Sequence, residues 1–169
     1  LDLIQKGLED YLEVKRLAFP RFFFLSNDEL LEILSQTKDP RAVQPFLGKC
    51  YEGINKVVFR GEKTGNPEDV TITHMISAET EHVEMCEVID PNQGKLRGNV
   101  EMWLNELQRI MRWTMKKIVT DAIADYVVTA RTTWVTNWPG QVVLGVGQCY
   151  WTKGVTDALN NNGLDGIKE

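Results

Sequence analysis

The sequence predicts a mainly α protein, an elongated helical bundle segment with a small inserted antiparallel β-hairpin or meander. Three observations predict this class: apolar residues recur at helical spacing near the start, residues 70–76 and 82–88 alternate with period two, and residues 100–130 contain neither Pro nor Gly. We expect one continuous segment with N-terminal helices over 1–53, a β-hairpin region over 54–90, and a long helix and a following helix over 91–169.

The first predicted helix ends before Pro20, after the basic pair Lys15 and Arg16, which suits a helix C-terminus. Its apolar side chains recur at helical spacing at Leu1, Ile4, Leu8, Tyr11 and Leu12. The run Phe22–Leu25 is too short and too aromatic for a solvated helix. Because it follows Pro20, we expect it to be an extended, buried connector.

Two further helix starts follow. Ser26 and Glu29 have the spacing of a capping box, in which each side chain satisfies the backbone amide of the other residue. Asp39 and Pro40 predict a second start, with Asp as the N-cap and Pro in the first helical position. The apolar side of that second helix is formed by Val43, Phe46, Leu47 and Cys50.

The hairpin region begins after Gly53, where the pattern changes. Ile54–Phe59 is apolar and β-branched, and Gly61–Asp69 is rich in turn formers. Val70–Ile76 alternates with period two, Ser77–Glu81 is a polar turn, and His82–Val88 alternates again. We therefore expect a small antiparallel hairpin or a three-stranded meander.

The long helix is predicted to begin after Asn99 as its N-cap and to run over 100–130. At about 1.5 Å per residue it would be roughly 45 Å long, more than the diameter of a compact domain of this size. This length predicts an elongated molecule. Trp138 and Pro139 mark the start of the next helix, although Gly140, Gly145 and Gly147 weaken its helical pattern.

The net charge of −5, from 19 basic and 24 acidic residues, argues against a nucleic-acid-binding protein. Residues 61–90 carry eight acids and one lysine, whereas residues 91–117 carry six basic and two acidic residues. These blocks of opposite sign could pair with each other, steer a partner, or form two solvated faces. No apolar stretch is long enough for a membrane span, and the start is not a signal peptide.

The glycine-rich stretch does not form a phosphate-binding loop. Gly140 and Gly145 have the Gly-x-x-x-x-Gly spacing, but Val146 and Gly147 occupy the positions that need Lys and Ser or Thr. Neither of the two His lies near a Ser in a Gly-x-Ser-x-Gly turn, which argues against a Ser-His-Asp hydrolase. We therefore expect that this chain is not itself an enzyme.

A metal site is also not expected. His74, His82 and Cys86 are the only soft ligands near one another in sequence, and their spacing matches no recognised zinc motif. The three Cys are odd in number and widely spaced, which is typical of reduced, structural thiols. The chain begins without Met and within a helical pattern, so we expect an excised segment of a longer protein.

Several stretches, in the same order over nearly the whole chain, resemble the linker of dynein heavy chains. These are Lys15–Ser26, Asn27–Ser35, Gly98–Leu104, Trp138–Leu144 and Gln148–Thr152. The turn at Ile76–Glu81 is similar to that of the family, with Thr80 where Gly is usual. The resemblance identifies as family-signature structural residues Phe19, Pro20, Arg21, Phe22, Trp103, Leu104, Trp138, Pro139, Gln148 and Trp151.

This resemblance implies the C-terminal part of the linker, which precedes the ATPase ring and acts as a lever on it. It implies no cofactor in this segment, since ATP and Mg would bind in the ring of the parent motor. The implied partners are the ring of the same heavy chain and, through the parent, dynein intermediate and light chains and microtubules, but neither nucleic acid nor membrane. Phe22–Leu25 and Trp138–Gln141 resemble the axonemal branch, so we expect the axoneme of a cilium or flagellum, with the cytoplasm as the alternative.

The acidic hairpin is the candidate docking element of such a lever. Glu79, Glu81 and Glu84 lie on or beside the predicted turn, where excess negative charge could make a weak, salt-sensitive contact with the ring. The alternative function is a static scaffold whose surface holds an associated dynein subunit and never undocks.

Overall fold

The computed structural model describes residues 2–61 and 70–167, and over these residues it confirms a mainly α fold with an inserted sheet. The α-helices are α1 Asp2–Ala18, α2 Asn27–Ser35, α3 Leu47–Cys50, α4 Val100–Tyr126, α5 Arg131–Asn137 and α6 Gly140–Asn162. The strands are β1 Lys56–Arg60, β2 Thr71–Ile76 and β3 His82–Ile89. Short 3-10 helices cover Pro20–Phe24, Pro40–Phe46, Gly94–Leu96 and Gly163–Ile167.

The chain divides into two compact units, Leu1–Thr114 and Met115–Glu169, and α4 contributes residues to both. The first unit contains α1 to α3, the sheet and the N-terminal half of α4. The second contains the C-terminal half of α4 with α5 and α6. Most of the predicted turn at Gly61–Asp69, including Glu62, Glu68 and Asp69, lies outside the described residues.

The predicted caps at Ser26 and Asp39 are confirmed. The Ser26 hydroxyl accepts a hydrogen bond from the Glu29 amide at 3.2 Å, and the Ser26 amide donates to the Glu29 carboxylate at 3.0 Å. The Asp39 carboxylate accepts from the Arg41 amide at 3.1 Å. Its helix is a 3-10 helix over Pro40–Phe46 that continues as α3, and its predicted apolar side is buried.

The prediction of an extended, buried connector at Phe22–Leu25 is wrong. Residues Pro20–Phe24 form a 3-10 helix, because Pro20 pre-sets a helical φ and the Phe22 amide donates to the Phe19 carbonyl at 3.0 Å. One turn of helix sends neighbouring side chains in different directions. Phe22 is therefore fully buried, whereas Phe23 and Phe24 are 61% and 69% exposed.

The sheet is the predicted three-stranded antiparallel meander, with strand order β1-β2-β3. Ile72 pairs with Ile89 and His74 pairs with Glu84, so four residues of β3 lie opposite Thr73. This irregularity lets the edge strand contact α4. The Cys86 amide donates to the hydroxyl of the buried Thr114 at 3.1 Å, which satisfies one backbone group of an edge strand.

The core of the first unit lies between its helices and one face of the sheet. α4 contributes Trp103, Leu104 and Leu107 to this core, and each is at most 2% exposed. On β1 the alternate residues Val57 and Phe59 face this core. On β2 the buried residues are Ile72 and Met75, three positions apart, because Thr73 is an extra residue between the pairs Val58–His74 and Phe59–Ile72. The largest fully buried side chains of this core outside α4 are Phe19, Phe22, Tyr51, Leu12, Leu30, Ile33, Leu47, Ile54, Ile72 and Ile89.

The long helix ends four residues earlier than predicted. α4 stops at Tyr126, and the Thr129 amide donates to the carbonyl of Asp125 at 2.9 Å to close the last turn. The Asp125 carboxylate accepts from the Thr129 hydroxyl at 2.5 Å, which favours a turn over a continued helix. Val127, which directly follows the end of α4, is 70% exposed.

The helices α5 and α6 pack with the C-terminal half of α4 in the second unit. α5, which was not predicted, places the buried Trp134 against α4, where its indole donates to the Ala122 carbonyl at 3.0 Å. α6 begins after Pro139 as predicted and continues through its glycines. Gly147 leaves room for the guanidinium of Arg131, which would lie 3.1 Å from a Cβ at this position.

Candidate functional site

The candidate docking hairpin is built on a tightly hydrogen-bonded turn at Ser77–Glu81, between β2 and β3. The Ser77 amide donates to the Glu81 carbonyl, and the Thr80 amide donates to the Ser77 carbonyl, each at 3.1 Å. The Ser77 hydroxyl accepts from the amides of Glu79 at 3.2 Å and Glu81 at 3.3 Å. This polar network confirms the predicted turn and fixes the backbone on which two of the three candidate carboxylates sit.

Thr80 occupies the strained position of this turn, with φ of +67°. This left-handed conformation is uncommon for any residue with a Cβ and is an outlier for a β-branched one. It costs roughly 1–2 kcal/mol relative to the right-handed conformation. The position therefore favours Gly, the residue that is usual in the turn it resembles, and Thr80 occupies it under strain.

The three candidate carboxylates are all exposed. Glu79 and Glu81 lie within the turn, and Glu84 lies on β3 opposite His74. The structure therefore places them on one β-hairpin, with the first two at its end. Their role in docking stays a prediction.

Among the residues that the structure describes, the acidic and basic blocks pair through Arg109. Arg109 on α4 contacts the carboxylates of Glu87 on β3 at 2.8 Å and Glu106 at 2.7 Å. Hydrogen bonds from Arg109 lower the pKa of Glu106, and those two carboxylates raise the pKa of Arg109. All three side chains are partly exposed, so this pairing orients the β3 segment more than it stabilises the fold.

Arg21 connects three elements of the first unit. Its guanidinium donates to the Gln108 side chain on α4 at 2.8 Å and to the Cys50 carbonyl at the end of α3 at 2.9 Å. It also lies over the ring of Tyr51, 5.0 Å from the centroid. Only the planar guanidinium group of arginine can donate hydrogen bonds in two directions while it stacks on an aromatic ring.

The remaining signature residues of the first unit pack around this connection. The rings of Phe19 and Phe22 meet edge to face with centroids 4.9 Å apart, and both side chains are buried. Leu104 is buried, and its carbonyl accepts from the Tyr51 hydroxyl at 2.7 Å. Burial raises the pKa of Tyr51. Tyr51 was not among the predicted residues, since a single aromatic residue after a short helix gives no sequence signal.

In the second unit the signature residues divide into two groups. The Trp138 indole donates to the Asp125 carboxylate at 2.9 Å, and Pro139 is the N-cap of α6, so both fix the start of that helix. Gln148 and Trp151 instead lie on an exposed side of α6, where Trp151 is 65% exposed. These two side chains are therefore not explained by packing within this unit.

Sequence reasoning also missed an aromatic cluster around Arg131. The guanidinium lies 4.7 Å from the centroid of the Tyr126 ring and 4.9 Å from that of Trp134. Tyr126 in turn stacks on Tyr150, with centroids 4.0 Å apart and planes 4° from parallel. The cluster joins α4, α5 and α6 within the second unit.

Neither a metal centre nor a membrane helix is found in the part of the chain that the structure describes. Over residues 2–61 and 70–167, no three His, Cys, Asp or Glu side chains are grouped as metal ligands. His74 instead contacts the neighbouring Thr73 hydroxyl at 2.9 Å. In the same residues, no helix is long and apolar enough to cross a bilayer.

Comparison with known proteins identifies the family of this chain. A model of the family described as dynein heavy chain, N-terminal region 2, matches residues 1–122. This region is a part of the heavy chain without ATPase activity, which agrees with the expectation that the chain is not itself an enzyme.

Axonemal heavy chains match along nearly the whole sequence. The chain is 53% identical to human dynein axonemal heavy chain 1 over 97% of its own length and 4% of that protein. The corresponding identities are 50% over 94% of the chain for mouse axonemal heavy chain 3, and 46% over 100% for rat axonemal heavy chain 12. The chain spans 4% and 5% of those two relatives. It therefore belongs to the dynein heavy chain family, as part of the N-terminal region of an axonemal-type heavy chain.

Proposed function

We propose that this segment is part of the linker lever of a dynein heavy chain and that its β2–β3 hairpin docks on the ATPase ring of the same polypeptide. The observation that carries the proposal is the constrained turn at Ser77–Glu81. It holds Glu79 and Glu81 at the exposed end of a hairpin that is anchored to the core.

A lever needs stiffness and a contact that can be released. Uninterrupted over Val100–Tyr126, α4 has about 40 Å of continuous helix at about 1.5 Å per residue. An exposed acidic contact is weak and screened by salt, so it can form in one state of the motor and break in another. Movement driven by nucleotide requires such a difference in contacts between two states.

In this proposal the chemistry takes place elsewhere in the parent protein. ATP and Mg bind in the ring, this segment holds no cofactor, and force reaches the microtubule through the rest of the heavy chain. The parent acts in the axoneme of a cilium or flagellum, where intermediate and light chains are its further partners. The identity with axonemal heavy chains supports this location.

The test is a triple substitution in the complete motor that removes the charge and keeps the shape: Glu79→Gln, Glu81→Gln and Glu84→Gln. We expect slower microtubule gliding with the basal ATPase rate largely unchanged, because docking is weakened while the ring is intact. A matched control removes three other exposed carboxylates of the same unit, Glu13→Gln, Glu32→Gln and Glu52→Gln. Unchanged velocity in the first variant, or equal slowing in both, would contradict the proposal.

A second experiment separates the lever from a static scaffold. Cross-linking the hairpin to the ring should arrest motility while nucleotide turnover continues, since a lever that cannot undock cannot complete its stroke. If the same cross-link leaves motility unchanged, the surface does not move relative to the ring. That result favours the alternative, a fixed surface for an associated subunit.

A further inference from the structure

The pairing between β2 and β3 is interrupted below the turn of the hairpin. The pairs that start at the turn end at His74–Glu84, and pairing resumes at Ile72–Ile89. Between them the four residues Met85–Val88, here called the bulge segment, lie opposite the single residue Thr73. Extra residues on one strand disrupt the ladder of hydrogen bonds and bend that strand. On its β3 side, the hairpin is therefore joined to the rest of the sheet through a weakly paired segment.

Two side chains of α4 contact β3 within this segment. The Thr114 hydroxyl accepts a hydrogen bond from the Cys86 amide at 3.1 Å and donates one to the Cys86 thiol at 3.2 Å. The Arg109 guanidinium donates to the Glu87 carboxylate at 2.8 Å. Since Cys86 and Glu87 both belong to the bulge segment, α4 holds β3 where β2 holds it least.

The α4 side of these contacts is itself fixed. Arg109 pairs with Glu106 at 2.7 Å and lies over the ring of Trp113, 5.7 Å from its centroid, so neighbours on the same helix orient its guanidinium. Near the start of α4, Glu101 contacts Lys15 of α1 at 2.5 Å. Apolar side chains of the N-terminal half of α4 lie in the core of the first unit. The bulge segment is therefore tied to an anchored helix.

We propose that Arg109 and Thr114 are the positioning residues through which the β2–β3 hairpin passes force to α4, an inference that rests on the proposed docking of the hairpin. Held by β2 alone, the hairpin would bend at the bulge segment when its end is displaced. One contact with α4 would still leave the segment free to rotate. The second contact comes from a different turn of the helix and prevents this rotation, so the displacement reaches α4.

The first experiment uses the full-length heavy chain and leaves the turn at Ser77–Glu81 unchanged. The double variant Glu87→Gln, Thr114→Val removes both contacts. We expect loss of microtubule gliding velocity with the basal ATPase rate unchanged, because the hairpin docks but its displacement is not transmitted. The matched control is Glu106→Gln, Thr114→Ser, which keeps the contact with Glu87 and the hydroxyl at position 114 and should glide at the normal velocity.

The second measurement is hydrogen exchange of the bulge segment in the same motor. Glu87→Gln changes one exposed side chain and removes no backbone hydrogen bond, so faster exchange of the amides of residues 85–88 reports movement of the segment. We expect these amides to exchange about two- to fivefold faster, as the loss of an exposed ion pair allows. Glu106→Gln removes the other carboxylate of the same arginine and should leave the exchange unchanged.

The outcomes separate this inference from the docking of the hairpin. Slower gliding after the triple glutamine substitution at positions 79, 81 and 84, with normal gliding of the double variant, overturns the role of Arg109 and Thr114 alone. Normal gliding of the triple variant overturns docking and this inference with it. Equal exchange in Glu87→Gln and Glu106→Gln also overturns the inference. If the double variant does not fold, Glu87→Gln alone replaces it in the gliding assay and should also slow gliding.

Discussion

The side chain of Gln44 pairs with both backbone groups of Val57, as a neighbouring strand would. Its Nε2 donates to the Val57 carbonyl at 2.9 Å, and the Val57 amide donates to its Oε1 at 3.2 Å. Val57 lies on β1, an edge strand of the sheet. An open edge is a template for pairing with other chains, so Gln44 closes part of it.

Gln44→Ala removes both hydrogen bonds and leaves the groups of Val57 without this partner. We expect the free energy of unfolding to fall by about 1–3 kcal/mol, measured by urea denaturation. The control is Gln5→Ala on the exposed surface of α1, which should change stability by less than about 0.5 kcal/mol. Equal effects of the two substitutions would contradict the role of Gln44 in closing the edge.

Thr80→Gly should stabilise the chain. It removes the strain of a β-branched residue at φ +67°, and even after the greater entropy of Gly in the unfolded chain a gain of about 0.5–1 kcal/mol should remain. Thermal unfolding monitored by circular dichroism measures the change. Thr73→Gly on β2 is the control and should destabilise, because its backbone is extended. A lower melting temperature for Thr80→Gly would show that the turn depends on the threonine side chain.

Arg21→Lys keeps the positive charge but replaces the planar guanidinium, with its several donors, by a single ammonium group. One ammonium group cannot donate to Gln108 and the Cys50 carbonyl while also stacking on Tyr51, so we expect a loss of about 1–3 kcal/mol. Chemical denaturation provides the measurement. Arg112→Lys on the exposed surface of α4 is the matched control and should be nearly neutral. If Arg21→Lys were as mild as this control, the arginine would not be the connecting residue described above.

Cys50 should resist alkylation in the folded chain. Burial raises the pKa of its thiol from 9.0 to about 11, so almost no thiolate is present near neutral pH, and the side chain is also inaccessible. Cys86 and Cys149 are exposed and serve as internal controls. Iodoacetamide at about pH 8, followed by peptide mass spectrometry, should modify these two first. Rapid modification of Cys50 in the native state would contradict its burial.

The raised pKa of Cys50 also makes the stability of the fold depend on pH in the alkaline range. Because the folded pKa of Cys50 is the higher one, the unfolded chain releases this proton first as the pH rises. The stabilisation contributed by the buried, protonated thiol of Cys50 is fully present below the pKa that this thiol has in the unfolded chain. It is lost as the pH rises through about 9 to 11. Cys50→Ala should remove this part of the pH dependence, which denaturation at a series of pH values would measure.

Local signals in the sequence predicted much of the fold, and the errors have physical causes. The capping box at Ser26 and the polar turn at Ser77 each act within a few residues, so both were predictable. The turn of helix at Pro20–Phe24 was missed because an aromatic run suits either a strand or a buried helical turn. The end of α4 depends on the side chain of Asp125, which accepts from Trp138, thirteen residues away.

The candidate site was predictable only as far as the turn. Ser77 and the acids around it identify a polar hairpin, and the structure agrees. The hydrogen bond from Arg21 to Gln108 and the stacking of Tyr126 on Tyr150 join residues distant in sequence, and a single sequence contains no pairing information between such positions. The exposure of Trp151 was likewise hidden, because an aromatic residue at helical spacing usually packs inside.

The ion pair between Lys15 and Glu101 constrains how these two positions can evolve. Within the described residues one carboxylate oxygen of Glu101 has no hydrogen-bond partner, and the side chain is almost wholly buried. Loss of either residue alone would leave an uncompensated charge in the interior, whereas a joint replacement by apolar side chains of similar volume could be neutral. Substitutions at positions 15 and 101 should therefore be inherited as pairs, with single changes rare among descendants of this chain.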